Sequence, residues 1–167
     1  MYLAKQGGRD RVIDPLLTRM LNADLTGNRY LRLRALPEGR NIRLLLLGDG
    51  ARKAALQADA QRRGLDNVVF VDTVSKDEVA RYWSLLDVSV IHLRRTELFT
   101  TVIPSKLFEC MGMGIPVLHG VAGESAEIVE HEGVGEVFEP ENAAQLAERL
   151  LAWRADPART QSGGSAD

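Results

Sequence analysis

From Asn41 onward, short apolar runs alternate with stretches whose apolar residues recur at helical spacing, and few architectures accommodate that rhythm. Ile42 to Leu47 is apolar apart from Arg43 and runs into Gly48-Asp49-Gly50, the pattern of a buried strand entering a turn. Ala51 to Arg63 reads as a helix closed by Gly64. Val68 to Val71 is a second strand. Ser75 and Glu78 then have the spacing of a capping box, with Val79, Trp83 and Leu86 at helical intervals behind it. Val88 to Leu93, Pro116 to Val121 and Val134 to Glu139 are further strands. Gly123-Glu124-Ser125 opens a helix that runs to Gly133, and Asn142 with Gln145 caps a last helix lined by Leu146, Leu150 and Trp153. Apolar strands separated by amphipathic helices imply a parallel sheet covered on both faces. The expected fold class is α/β, a doubly wound parallel sheet with its site at the carboxyl ends of the strands.

Before Asn41 the pattern is weaker. Met1-Tyr2-Leu3-Ala4 reads as the first strand, which this topology places at the centre of the sheet. Gly7-Gly8-Arg9 followed by Val12, Ile13, Leu16 and Leu17 reads as a loop and helix, with Pro15 disturbing the first turns. Asn22 to Asn28 is turn-like, and Tyr30 to Leu36 is another helical piece. Arg29, Arg32 and Arg34 form a basic cluster that suits an anionic membrane or, as the plainer reading, a solvated face.

Composition narrows the function classes. The 167 residues allow one domain with a proper core, and 45% hydrophobic with 26% charged residues is ordinary for a soluble globular protein. A net charge of −2 gives no global pull toward nucleic acid. The one cysteine, Cys110, excludes an intrachain disulfide and a cysteine zinc cluster. No apolar stretch approaches a membrane span, and Met1 to Asp10 lacks the apolar core of a signal peptide, so a cytoplasmic protein is expected.

The most informative segment is Pro104-Ser105-Lys106-Leu107-Phe108-Glu109-Cys110-Met111-Gly112-Met113-Gly114-Ile115-Pro116-Val117. It reads as a short helix opened by Pro104, stopped near Gly114 and followed by a buried strand. Leu107, Phe108 and Met111 make an apolar face by their spacing. Glu109 lies off that face, one turn beyond Ser105. A carboxylate held there can accept two hydroxyl hydrogen bonds, as from the diol of a ribose. The helix N-terminus, with free N–H groups and partial positive charge, suits a phosphate.

This run resembles the helix in the C-terminal, donor-binding half of retaining glycosyltransferases of the family 4 type, the GT-B architecture. The Pro-Ser-Lys-Leu-Phe-Glu form is similar to a bacterial branch that builds surface polysaccharides. The resemblance implies a Rossmann-like domain that binds a nucleoside-diphosphate sugar, UDP-linked, as donor substrate, with no resident cofactor and no metal. It implies transfer to a saccharide or lipid-linked acceptor, with an acceptor-binding domain or subunit on another chain and a place in the cytoplasm, at or near the inner face of the membrane. On this basis the chain divides into residues 1–34, holding a remnant of the first strand and helix, a nucleotide-sugar-binding domain over 35–156, and a tail over 157–167 expected to be disordered.

The resemblance assigns Glu109 to the ribose and Ser105 and Lys106 to the diphosphate. Gly123 and Glu124 fall to the donor sugar, and Val71 to Val74 to the base, with Val74 as the contact residue. The plainer alternatives are a surface Glu109 pairing with Lys106, an ordinary helix start at Ser105, and favourable first-turn acids at Glu124. The family's more common pattern has a second glutamate where Thr101 stands here, so Thr101, with Thr100 beside it, is the candidate sugar contact in that loop. Glu97 reads as a solvated loop residue. Lys5 and Arg9 occupy the region where the family carries basic diphosphate ligands. Among the histidines, His92 and His119 lie at strand ends near the expected site, although packed structural roles fit them as well; His131 has no metal spacing with either. Cys110, Trp83 and Trp153 read as core.

Two other functions fit the same pattern. One is a noncatalytic nucleotide-binding or regulatory subunit. The other is a dinucleotide-dependent oxidoreductase, which the turn Gly48-Asp49-Gly50 disfavours because Lys53 stands where the third glycine of that fingerprint belongs.

Overall fold

The computed structural model describes residues 2–5, 42–49, 53–93, 95 and 97–156. The expectations for Gly7 to Leu36, including Arg9 and the arginine cluster, and for the C-terminal tail lie outside the described residues. Six strands form one sheet: β1 (Tyr2–Lys5), β2 (Ile42–Leu47), β3 (Val68–Val71), β4 (Val88–His92), β5 (Val117–Gly120) and β6 (Gly135–Val137). Their order is β3-β2-β1-β4-β5-β6. Among the described residues five helices connect or follow them: α1 (Lys53–Arg62), α2 (Lys76–Trp83), α3 (Ser105–Gly112), α4 (Glu124–His131) and α5 (Ala143–Ala155).

β2 pairs with β3, β4 with β5 and β5 with β6, all in parallel, as the alternation of strands and helices requires. β1 takes the central place expected of it but runs antiparallel to both neighbours, so the sheet is mixed at its middle. Its register sets Lys5 opposite Ile42 and Tyr2 opposite Leu45. Antiparallel bonds lie perpendicular to the strands, which makes this pairing slightly the stronger per residue.

The core is densest around β4 and β5. Every residue of both strands is buried, with Val117 and Leu118 wholly inaccessible. Each such side chain contributes roughly 1.5–3 kcal/mol over an exposed one. α3 adds Leu107 and Cys110, α4 adds Val129, and α5 adds Leu146, Ala147, Leu150 and Trp153. Trp83 and Trp153 are core residues, as the sequence suggests, and the Trp153 indole donates to Glu136 Oε1 at 2.6 Å.

One packing expectation fails. Phe108 does not join the apolar face of α3; it is 53% exposed. The helix turns Leu107 and Cys110, three residues apart, into the core, together with the stem of Lys106. Phe108, one position on from Leu107, is rotated by about 100° of helix and faces out.

Candidate functional site

The parallel strands end together at one edge of the sheet, and the strand order reverses between β1 and β4, where such folds form a crevice. Helices α2 to α5 begin at that same edge, but they begin in two ways. α2 has the capping box expected from its sequence: the Glu78 N–H donates to Ser75 Oγ and the Ser75 N–H to Glu78 Oε2. α5 is capped by Asn142, whose Oδ1 accepts from the Gln145 N–H at 3.0 Å. α3 and α4, which follow β4 and β5, carry no side-chain cap hydrogen bond. Their N-cap residues are Pro104, which has no side-chain acceptor, and Gly123, which has no side chain at all. No N-cap side chain accepts from the first turn there, at the positive end of each helix dipole.

The start of α4 lies close against the loop that precedes α3. Gly123 has φ +88°, and a Cβ built on it would lie 2.0 Å from the carbonyl oxygen of Thr100. Only glycine permits that approach. The Thr100 hydroxyl in turn donates to the Glu97 carbonyl at 2.7 Å, closing the 3-10 turn Glu97–Thr100. Thr101, Ser105 and Glu124 are exposed around this contact.

Glu109 lies one turn inside α3, its side chain 45% exposed, with the Lys106 ammonium 3.9 Å from Oε2. That distance is a loose pairing that leaves the carboxylate open to further donors. Lys106 is not a solvated lysine. Its side chain is almost wholly buried and its ammonium lies 5.3 Å from the centre of the Trp83 ring, a cation–π contact. It sits behind Glu109 rather than extending from the helix start.

Below this edge lies a buried polar layer that sequence reasoning resolved only in part. His119 is wholly buried, and its Nε2 pairs with Ser125 Oγ of α4 at 2.9 Å, while Nδ1 finds no partner. Burial, with a smaller push from His92, lowers the His119 pKa to about 4, so the ring is neutral at pH 7. His92 stacks on Phe138 and accepts the Glu141 backbone N–H at 2.8 Å through Nε2. Glu141 is held at φ +66° by that arrangement, a conformation L residues seldom adopt. Gly120 leaves room for these rings: a Cβ there would lie 2.3 Å from Phe138 and 2.8 Å from His92.

At the other end of the edge, Lys53 of α1 joins the turns after β2 and β3. Its ammonium donates to Asp49 Oδ1 at 2.9 Å, to the Val71 carbonyl at 3.3 Å, and to Asp72. Asp49 Oδ2 accepts the Thr73 N–H at 3.3 Å. Desolvation opposes the lysine's charge, but the bonds from Asp72 and Asp49 outweigh it and raise its pKa; the Lys53 bond, then that of Thr73, lowers that of Asp49. Val74, half-buried, follows this knot directly. The sequence showed Lys53 only as a departure from a glycine fingerprint; its partners come from two strands and have no fixed spacing to read.

Among the described residues no three of His, Cys, Asp and Glu are grouped as metal ligands, and no helix is long and apolar enough to cross a membrane.

Comparison with known proteins gives this geometry a context. The family model described as glycosyl transferases group 1 matches residues 19–156. Among solved structures, the chain is similar to Anabaena HepE in complex with UDP and glucose, with 22% identity and a TM-score of 0.65 over 88% of this chain and 39% of that one. It is similar to the C-terminal domain of the group 1 protein LpcC from Francisella tularensis, with 23% identity and a TM-score of 0.55 over 68% of this chain and 56% of that one. A sucrose-phosphate synthase from Thermosynechococcus elongatus matches at 21% identity and a TM-score of 0.60, over 96% of this chain and 47% of that one. At these identities the likeness is one of fold, the Rossmann-like domain of GT-B glycosyltransferases. The chain spans less than two thirds of the length of each of these structures. No curated protein sequence matches it.

Proposed function

The chain belongs to the group 1 glycosyl transferases, and from that premise we propose that it binds the nucleotide-sugar donor, a UDP-linked sugar, for transfer to a saccharide or lipid-linked acceptor. The observation that carries this reading is the pair of uncapped helix starts at α3 and α4, with the open carboxylate of Glu109 one turn behind the first. Two helix starts without side-chain caps suit a diphosphate, and a carboxylate at that depth suits the ribose diol. A structure of HepE with UDP-glucose supports the choice of uridine.

The roles follow from chemistry. Ser105 and the α3 amides hold the diphosphate, and Glu109 the ribose. The backbone around Val74 takes the base, while Thr101, Gly123 and Glu124 lie toward the donor sugar. As the glycosidic bond breaks, charge grows on the departing diphosphate, and preorganised amides offset it without moving. Lys106 adds its charge from behind Glu109 and, through Trp83, fixes the turn that carries the carboxylate. The donor is a substrate, and neither a metal nor a cofactor is assigned. We place the chain in the branch that builds bacterial surface polysaccharides, in the cytoplasm at or near the inner face of the membrane. An acceptor-binding domain, in the same polypeptide or another, completes the reaction.

Titration of UDP and UDP-sugars against the chain and its Glu109→Ala variant tests this. We expect saturable UDP binding, and a loss of roughly tenfold to a hundredfold in the variant, the worth of one or two hydrogen bonds to a charged group. Equal binding by both removes Glu109 from the site. Binding that yields no transfer when an acceptor domain is supplied makes the chain a regulatory subunit.

A further inference from the structure

We propose that Lys53 is a positioning residue that sets base selectivity, a role that rests on the donor-site reading above. It holds the segment Asp72 to Val74 in the form that presents its backbone N–H and C=O groups to the nucleobase. Three observations lead there. First, the ammonium ties together groups from two elements: Asp49 after β2, and the Val71 carbonyl and Asp72 at the end of β3. Asp49 then passes the restraint on by accepting the Thr73 N–H, so the loop ahead of Val74 is fixed at successive residues.

Second, Lys53 is badly placed for anything less specific. It is the first residue of α1, where the helix dipole disfavours a cation. Its side chain is 11% exposed, whereas those of Asp49 and Asp72 are 61% and 88% exposed. The lysine is thus held inside by acids that remain in water, as a brace is and a solvated surface lysine is not.

Third, the two ends of the edge are built differently. The loop after β3 is already bound by Lys53 and Asp49 through the Val71 carbonyl, Asp72 and the Thr73 N–H. The uncapped starts of α3 and α4 make the other end attractive to a diphosphate. With the diphosphate seated at the uncapped starts, as proposed above, the base falls to the segment Thr73 to Val74. Flexible backbone could still bind a base there, but it could not tell one base from another, because discrimination needs donors and acceptors at fixed positions.

The test measures binding of UDP, CDP, GDP and inorganic pyrophosphate to the full chain, to Lys53→Met, and to an Asp49→Asn/Asp72→Asn double variant. The double variant alters only exposed side chains and leaves the lysine in place, so it reports even if Lys53→Met does not fold. We expect the wild-type preference for UDP over GDP to fall roughly tenfold in either variant, the effect of losing a well-made hydrogen bond to the base. Pyrophosphate affinity should change little. A folded variant that keeps the full UDP preference overturns the role of Lys53 and leaves the donor site standing. Uniform loss across all four ligands also overturns it, since that marks a structural defect. Failure of the wild-type chain to bind UDP overturns the donor-site reading, and this inference with it.

Discussion

At Val88–His92 and Val117–Gly120 every residue is buried, whereas at the outer strand Val68–Val71 none is, and Val69 is 39% exposed. The helices repeat the difference. α3 and α4 sink Leu107, Cys110 and Val129 into the core and leave their first turns uncapped. α1 buries Ala60 alone, and α2 spends two side chains on a capping box. One flank is held by apolar packing and begins its helices without side-chain caps. The other buries β2 as deeply but leaves β3 half-covered, and adds local hydrogen bonds and the Lys53 ion pairs to its packing. A site that must leave helix starts uncapped until a ligand arrives is best built where packing supplies the stability.

The largest test of that division deletes packing on each side. Leu107→Ala, fully buried beneath α3, should cost about 2–5 kcal/mol in urea unfolding. Val69→Ala on the exposed strand should cost under about 1 kcal/mol. Comparable losses would show that both flanks depend on packing alike.

A pH series tests the buried histidine. The folded pKa of His119 is about 4 against 6.5 unfolded, so between those values the unfolded chain binds the extra proton. Stability supplied by the neutral ring is full above pH 6.5 and is lost as the pH falls toward 4, a loss of about 3 kcal/mol from this group. Unfolding midpoints measured from pH 8 to pH 4 should show this slope, and His119→Asn should flatten it. An unchanged slope in the variant would assign the acid sensitivity elsewhere.

The smallest effects are the sharpest for the comparison. Ser75→Ala removes a cap and should cost about 1 kcal/mol of stability. Ser105→Ala removes none and should change stability by less than about 0.5 kcal/mol, yet weaken UDP binding measured by calorimetry. A loss of stability at Ser105 equal to that at Ser75 would make it an ordinary helix start.

Much of this was legible in the residues. β2 and β3 begin and end where the apolar runs do, and the capping pairs Ser75–Glu78 and Asn142–Gln145 are local patterns. Phe108 departs from the expectation because neighbouring apolar residues on a helix compete for one face, and spacing alone does not decide which of Leu107 and Phe108 turns inward beside Met111. The site divides the same way. Glu109, Ser105, Gly123 and Glu124 stand out through turns and helix starts. Lys53, the His119–Ser125 pair and the approach of Thr100 to Gly123 join residues from different elements.

Sequence alone determined the alternation of strands and helices, their boundaries and caps, because those follow from interactions within a few residues. Tertiary structure decided the reversed direction of β1, the burial of Lys106 against Trp83, and which helix starts stay open beside one another. Each depends on contacts between segments distant in the chain, where the energy lies in shape and charge brought together by folding.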